Sequence, residues 1–194
     1  MKTLDLFTTP LFYCNIEQTK PLLTDLENLA LEHEANHESG RNVSNVGGHQ
    51  TPFLSLEDEP KYEQLIETLM PEIRNTVQGF NYRNHLKIIV LQCWMNINRK
   101  GHLNWPHTHP NTDWACIFYI KSDEKTAIRF KNPDPMRTEL QWKIDTYNQY
   151  NADVYSYFPK TNDFIMIPAH VEHSVDVSKS EDVRISLAFN VRIA

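Results

Sequence analysis

Little in this chain marks a membrane, secreted or nucleic-acid-binding protein. Its three cysteines, Cys14, Cys93 and Cys116, are odd in number, widely spaced and without a CxxC pair. That pattern argues against a disulfide framework and fits reduced thiols packed in a cytosolic core. The longest unbroken apolar run, Trp114 to Ile120, has seven residues, where a membrane-spanning helix needs about twenty. Asp5 stands where an export signal requires an apolar segment, so a cytoplasmic location with no membrane partner is expected. Nineteen Lys and Arg against twenty-five Asp and Glu give a net charge of −6, with no basic run. Duplex nucleic acid is therefore not an expected partner. There is no Gly/Ser linker, no internal repeat and no evident Ser/His/Asp or Cys/His arrangement.

What remains is ordinary globular composition: 194 residues, 40% apolar, 11% aromatic and 23% charged. One domain over 1–194 is expected, with a helical support region at 1–85 and a β core at 86–194. After an extended start near Leu11 to Ile16, Leu22, Leu26, Leu29, Ala30 and His33 recur at helical spacing up to Gly40. Arg41 to Phe53 is turn-rich. Leu65, Leu69, Ile73 and Val77 then step by four, with Pro71 expected to kink or split that helix before Gly79 ends it.

From Leu86 the period changes to two. Ile89, Leu91, Cys93, Met95 and Ile97 form the apolar side of one strand. Further strands are expected at Trp114 to Lys121, Thr126 to Lys131, Phe164 to Pro168 and Val183 to Ile193. In the last, Val183, Ile185, Leu187, Phe189, Val191 and Ile193 point one way, and Arg184, Ser186, Ala188 and Asn190 the other. Antiparallel strands over about a hundred residues suggest a jelly roll or small barrel. Residues 132–161 lack periodicity but carry Trp142, Tyr147, Tyr150, Tyr155 and Tyr157, which argues for an ordered lid.

Five of the nine histidines fall in two windows: His102, His107 and His109 in GHLNWPHTHP, and His170 and His173 in PAHVEH. In an extended stretch His107 and His109 share one side of the chain and can reach a single ion. The plainer alternative is a loop with two partly exposed histidines. A histidine at 170 or 173, just beyond the apolar strand Phe164 to Ile167, could complete three ligands and leave open positions on an octahedral ion. The third element is Arg184-Ile-Ser186, where alternation puts a guanidinium and a hydroxyl on the polar side of an apolar strand. A buried arginine needs a partner. That partner is either a nearby Asp or Glu or the carboxylate of a ligand, which the planar fork matches.

Metal ligands from two strands with an Arg-x-Ser pair on the last strand resemble the 2-oxoglutarate and Fe(II)-dependent oxygenases. SNVGGHQT (Ser44 to Thr51), GHLNWPHTHP (Gly101 to Pro110), the strand containing Tyr119, FKNPDP (Phe130 to Pro135), DFIMIPAHVEHSV (Asp163 to Val175) and RISLAFN (Arg184 to Asn190) are similar, in order, to a family of these oxygenases from bacteria and phages. WPHTHP also resembles the WPHTGP stretch of the aspartyl/asparaginyl β-hydroxylases, whose histidine matching His107 binds iron.

The resemblance implies a double-stranded β-helix, Fe(II) held by His107 and His173, and 2-oxoglutarate with its far carboxylate at Arg184 and Ser186. It implies hydroxylation of a C–H bond with release of succinate and CO2. Where the superfamily has Asp or Glu as third ligand, this chain has His109. Either a third imidazole makes the site one unit more positive, or water takes that position. The family pattern favours His173 over His170, because its histidine stands two residues before a valine, here Val175. Asn96 and Trp94 could line the pocket, Tyr119 could contact the cosubstrate, and Asp113 could orient a ligand ring. His49 and His102 read as surface or loop residues.

Two other readings remain open. One is a cupin-like three-histidine enzyme using His107, His109 and His173 without 2-oxoglutarate. The other is a non-catalytic jelly-roll module with a structural zinc, for which His170 would be the fourth ligand. The substrate class left by composition is a small molecule or a protein side chain, and a homodimer is as compatible with the pattern as a monomer.

Overall fold

A computed structural model of the chain describes all residues except 1, 3, 6, 38, 39, 56–58 and 135–142. In chain order its strands are β1 (Phe12–Asn15), β2 (Asn45–Val46), β3 (His49–Gln50), β4 (Ile88–Asn98), β5 (Leu103–His107), β6 (Trp114–Lys121), β7 (Ile128–Lys131), β8 (Val154–Tyr157), β9 (Asp163–Pro168), β10 (His173–Val175) and β11 (Arg184–Ile193). Two α-helices, α1 (Leu23–Asn36) and α2 (Pro60–Gly79), precede β4, with a 3-10 segment, Glu17–Leu22, leading into α1. One sheet has the order β1-β9-β6-β11-β4-β3 and the other β2-β5-β10-β7-β8, with every pairing antiparallel. The architecture is the expected jelly roll.

Alternation along the central strands divides the interior into two cores. On β11, Ile185, Leu187, Phe189 and Val191 join the core shared with the helices, so Arg184, Ser186, Ala188 and Asn190 point to the opposite face. β6 is apolar on both faces. Trp114, Cys116, Phe118 and Ile120 pack in the first core, while Ala115, Ile117 and Tyr119 meet Ile128, Phe130, Ile165 and Ile167 in the second. This explains its unbroken apolar run, since a strand covered on both sides has no polar face to show. From α1 and α2, Leu26, Ala30, Leu65, Leu69 and Ile73 seal the outer face with no exposure. Truncating Leu69 to alanine there costs about 2–5 kcal/mol.

Four sequence expectations are corrected. α2 runs unbroken through Pro71. Pro71 is exposed, so the carbonyl it leaves without an N–H partner can bond water, while buried Leu65, Leu69, Ile73 and Val77 hold the helix to the sheet. In β4 the apolar set changes parity at Gln92, where Phe189 pairs with Cys93 but Asn190 with Leu91. This β-bulge turns Ile88 and Val90 toward the core with Cys93, Met95 and Ile97, and leaves Ile89 outside. The turn-rich 41–53 segment contains β2 and β3, so the first 85 residues add two short strands to the sheets besides β1, which occupies the expected extended start. Finally, Tyr155 and Tyr157 of the expected lid lie in β8, paired to β7. Trp142 and the rest of 135–142 lie outside the described residues.

Candidate active site

The backbone pairing of β5 with β10 sets His107 directly opposite His173, which brings two histidines distant in the chain side by side. His109 follows two residues later. It is held in place by a hydrogen bond from its backbone N–H to the Ala169 carbonyl, 3.0 Å. The three rings converge, with centroid separations of 4.4 Å (107 to 173), 5.1 Å (109 to 173) and 5.4 Å (107 to 109). One candidate ligand nitrogen from each lies within 4.8 Å of the other two.

Each ring has its Nδ1 engaged by a carbonyl oxygen: His107 with the Trp105 backbone at 2.7 Å, His109 with the Asn190 side chain at 2.6 Å, and His173 with the Val171 backbone at 3.0 Å. Those oxygens only accept, so each Nδ1 is the protonated nitrogen and each Nε2 carries the free lone pair. Burial pushes all three imidazoles toward the neutral form. His173, at 4% exposure, is lowered to about 3, first by desolvation and then by His107 beside it.

The triad opens on a cavity of about 340 Å³ between the sheets. Arg184, Ser186 and Tyr119 line the same cavity, with Asn96, Trp94 and Asn190. Arg184 is only 2% exposed, yet among the described residues no carboxylate lies within ion-pair distance of it. Its Nη2 donates to the Tyr119 hydroxyl at 3.1 Å, its guanidinium carbon lies 4.9 Å from the Tyr119 ring centroid, and its Nε has no partner. A structural salt bridge is therefore not what holds this arginine. A buried guanidinium with an unused donor fits an incoming carboxylate, and three neutral imidazoles fit a divalent transition metal.

Residues 92–190 match the family model described as "Putative 2OG-Fe(II) oxygenase". The chain belongs to this family. The comparisons with solved structures bear on the fold. Over 95% of this chain and 93% of the other, it is similar to a Pseudomonas putida prolyl-4-hydroxylase at 13% identity and TM-score 0.67. It is also similar to HygX from Streptomyces hygroscopicus, solved with nickel and 2-oxoglutarate bound, at 11% identity and TM-score 0.65, covering 95% and 83% of the two chains. SnoN, an α-ketoglutarate-dependent epimerase from nogalamycin biosynthesis, matches at 11% identity and TM-score 0.68 over 95% and 78%. No curated protein matches by sequence.

In this 2OG-Fe(II) oxygenase, Asn190 is the site residue that sequence reasoning missed. It holds His109 and donates to Gln92 Oε1 at 3.2 Å. The alternation of RISLAFN put it on the same face as Arg184, which was the available signal. Asp113 has a different task from the one expected. Its Oδ2 accepts the Ile193 N–H at 2.8 Å, tying the end of β11, and Asn190 serves the ring instead. His170 is exposed and outside the triad, which removes the fourth ligand of the structural-zinc reading. His49 is buried rather than superficial, with its Nε2 3.3 Å from His33 Nδ1.

Proposed function

We propose that His107, His109 and His173 hold Fe(II) through Nε2, and that Arg184, with Ser186 and Tyr119, receives the far carboxylate of 2-oxoglutarate. The observation that carries this reading is the pairing, in one cavity, of a neutral imidazole triad with a buried guanidinium that no carboxylate among the described residues contacts. When bound, iron and 2-oxoglutarate supply oxidising power: O2 is consumed, 2-oxoglutarate is decarboxylated to succinate and CO2, and one oxygen atom enters a substrate C–H bond.

The chain's own residues perform the rest. Trp105, Asn190 and Val171 keep the Nδ1 protons in place, so the ligand nitrogens stay aimed and unprotonated at neutral pH. The Tyr119 hydroxyl and ring hold the guanidinium in the cavity, which leaves its remaining donors for the ligand. Ile117, Ile128 and Ala188 give the wall an apolar lining that limits water around the bound cosubstrate.

Thermal unfolding of the metal-free protein with Mn(II), with and without 2-oxoglutarate, tests the assignment. A ligand at a hundredfold its Kd adds about 2.7 kcal/mol, which in a chain of this size raises Tm by about 5–10 °C. Stabilisation by metal, further stabilisation by 2-oxoglutarate, and loss of only the second step in Arg184→Ala are expected. Metal stabilisation with no response to 2-oxoglutarate would favour a three-histidine enzyme of another kind.

A further inference from the structure

The chain carries a net charge of −6, with twenty-five acidic residues, yet none of the described residues lining the cavity is Asp or Glu. Among the described residues its permanent charges are two arginines, Arg184 and Arg41. Both are held in the same manner. Arg184 lies against the Tyr119 ring, and Arg41 places its guanidinium carbon 4.1 Å from the Phe53 centroid. Neither has a carboxylate partner among the described residues. An aromatic face fixes a guanidinium without neutralising it and leaves the in-plane N–H donors free for an oxyanion.

Arg41 is also anchored. Its backbone N–H donates to the Gln50 carbonyl at 2.7 Å. The preceding Gly40 lets the chain press onto β3, where an added Cβ would come within 2.7 Å of the Gln50 oxygen and 2.9 Å of His49 Nδ1. From Arg41 a wall of rings leads inward. Phe53 meets Trp94 at 6.0 Å between centroids, and Trp94 stacks on His109 at 5.8 Å and 28°. Phe53, 48% exposed, marks the rim, and His109 marks the triad. One cation at the base can serve the cosubstrate, so the cation at the rim is left for a second ligand.

We propose that the primary substrate is a small amphipathic oxyanion, with a carboxylate or phosphate head held by Arg41 and an apolar body laid along Phe53 and Trp94 toward the triad. The inference rests on the oxygenase reading of the same cavity. It names the substrate class and makes Arg41 the residue that selects it.

Calorimetric titration of the Mn(II)- and 2-oxoglutarate-loaded protein with phenylacetate, phenyl phosphate and the neutral phenylacetamide tests it. At least one anion is expected to bind about tenfold tighter than the amide, a difference of roughly 1.4 kcal/mol that one charge-assisted contact can supply. The tighter of the two anions identifies the head group. In Arg41→Gln the anions should fall to within about twofold of the amide, while the Kd for 2-oxoglutarate, which also verifies folding, stays at the wild-type value. Arg41→Lys, which keeps the charge, should retain a preference. Equal binding of all three probes, no binding of either anion, or a preference that survives Arg41→Gln would overturn the proposal. The same titrations of the metal-free protein need neither metal nor cosubstrate. Made in Arg184→Met, which removes the other described cationic side chain of the cavity, they measure anion selection by Arg41 even if 2-oxoglutarate fails to bind and the oxygenase assignment of the cavity falls.

Discussion

Asn190 touches the triad only through the Nδ1 of His109, which makes it a test of whether ring orientation matters. Asn190→Ala should leave the fold intact and weaken Mn(II) binding by about 10–100-fold, measured by competition with a chelating dye. Arg184 separates a ligand role from a structural one. If its guanidinium waits for a carboxylate, the metal-free protein holds a buried charge that no described carboxylate contacts and that Asp123 offsets only at longer range, and Arg184→Met should unfold at the same denaturant concentration as wild type or a higher one. The same variant should bind 2-oxoglutarate at least about tenfold more weakly. His173 gives a pH signature. Its folded pKa is about 3, held down by burial, whereas an unfolded histidine titrates near 6.5. Between those values the unfolded state binds a proton that the native state does not, so stability is level above pH 6.5 and falls as pH drops toward 3. Tm of the metal-free protein measured from about pH 7 to about pH 4 checks the sign, and His173→Phe should flatten part of the slope. The histidines were legible in the sequence because they cluster in two short windows, and Arg184 because a guanidinium is rare in an apolar strand. Asn190 was harder to single out, since an asparagine on a polar face has many ordinary explanations.

The elements show where local pattern is sufficient and where tertiary context overrides it. Period-two alternation predicted β11 closely, and an unbroken apolar run predicted β6, because each extends over eight or more residues. β2 and β3 have two residues each and leave no periodic trace. The parity change in β4 depends on how it pairs with β11, which a single strand does not encode. Pro71 misled for a physical reason. Proline opposes an isolated helix by about 3 kcal/mol relative to alanine, but in α2 the buried face of Leu65, Leu69, Ile73 and Val77 outweighs that penalty. Pro71→Ala should therefore raise unfolding stability by about 1–3 kcal/mol, read as an increase in urea midpoint with no change in slope. The opposition of His107 and His173 is of the same kind. The sequence offers both rings, and only the β5 and β10 register makes them neighbours.

Over the whole molecule, helices cover one face of a six-stranded sheet and a five-stranded sheet covers the other. The chemistry lies between the sheets, where β11 turns its polar residues inward. The jelly roll followed from strand count and alternation. The iron and 2-oxoglutarate assignment came from matching several short segments in order and now rests on membership of the family over residues 92–190. The contrast between a net charge of −6 and a cavity with no Asp or Glu among its described lining residues is a property of the assembled fold, since the cavity residues come from segments far apart in the chain. Anaerobic Mn(II) and 2-oxoglutarate titrations of wild type, His107→Ala, His109→Ala, His173→Ala and Arg184→Met test the central assignment most directly. Each histidine variant should lose metal affinity by at least about tenfold, while Arg184→Met keeps the metal and loses 2-oxoglutarate. Wild-type metal affinity in His109→Ala, or wild-type 2-oxoglutarate affinity in Arg184→Met, would contradict it.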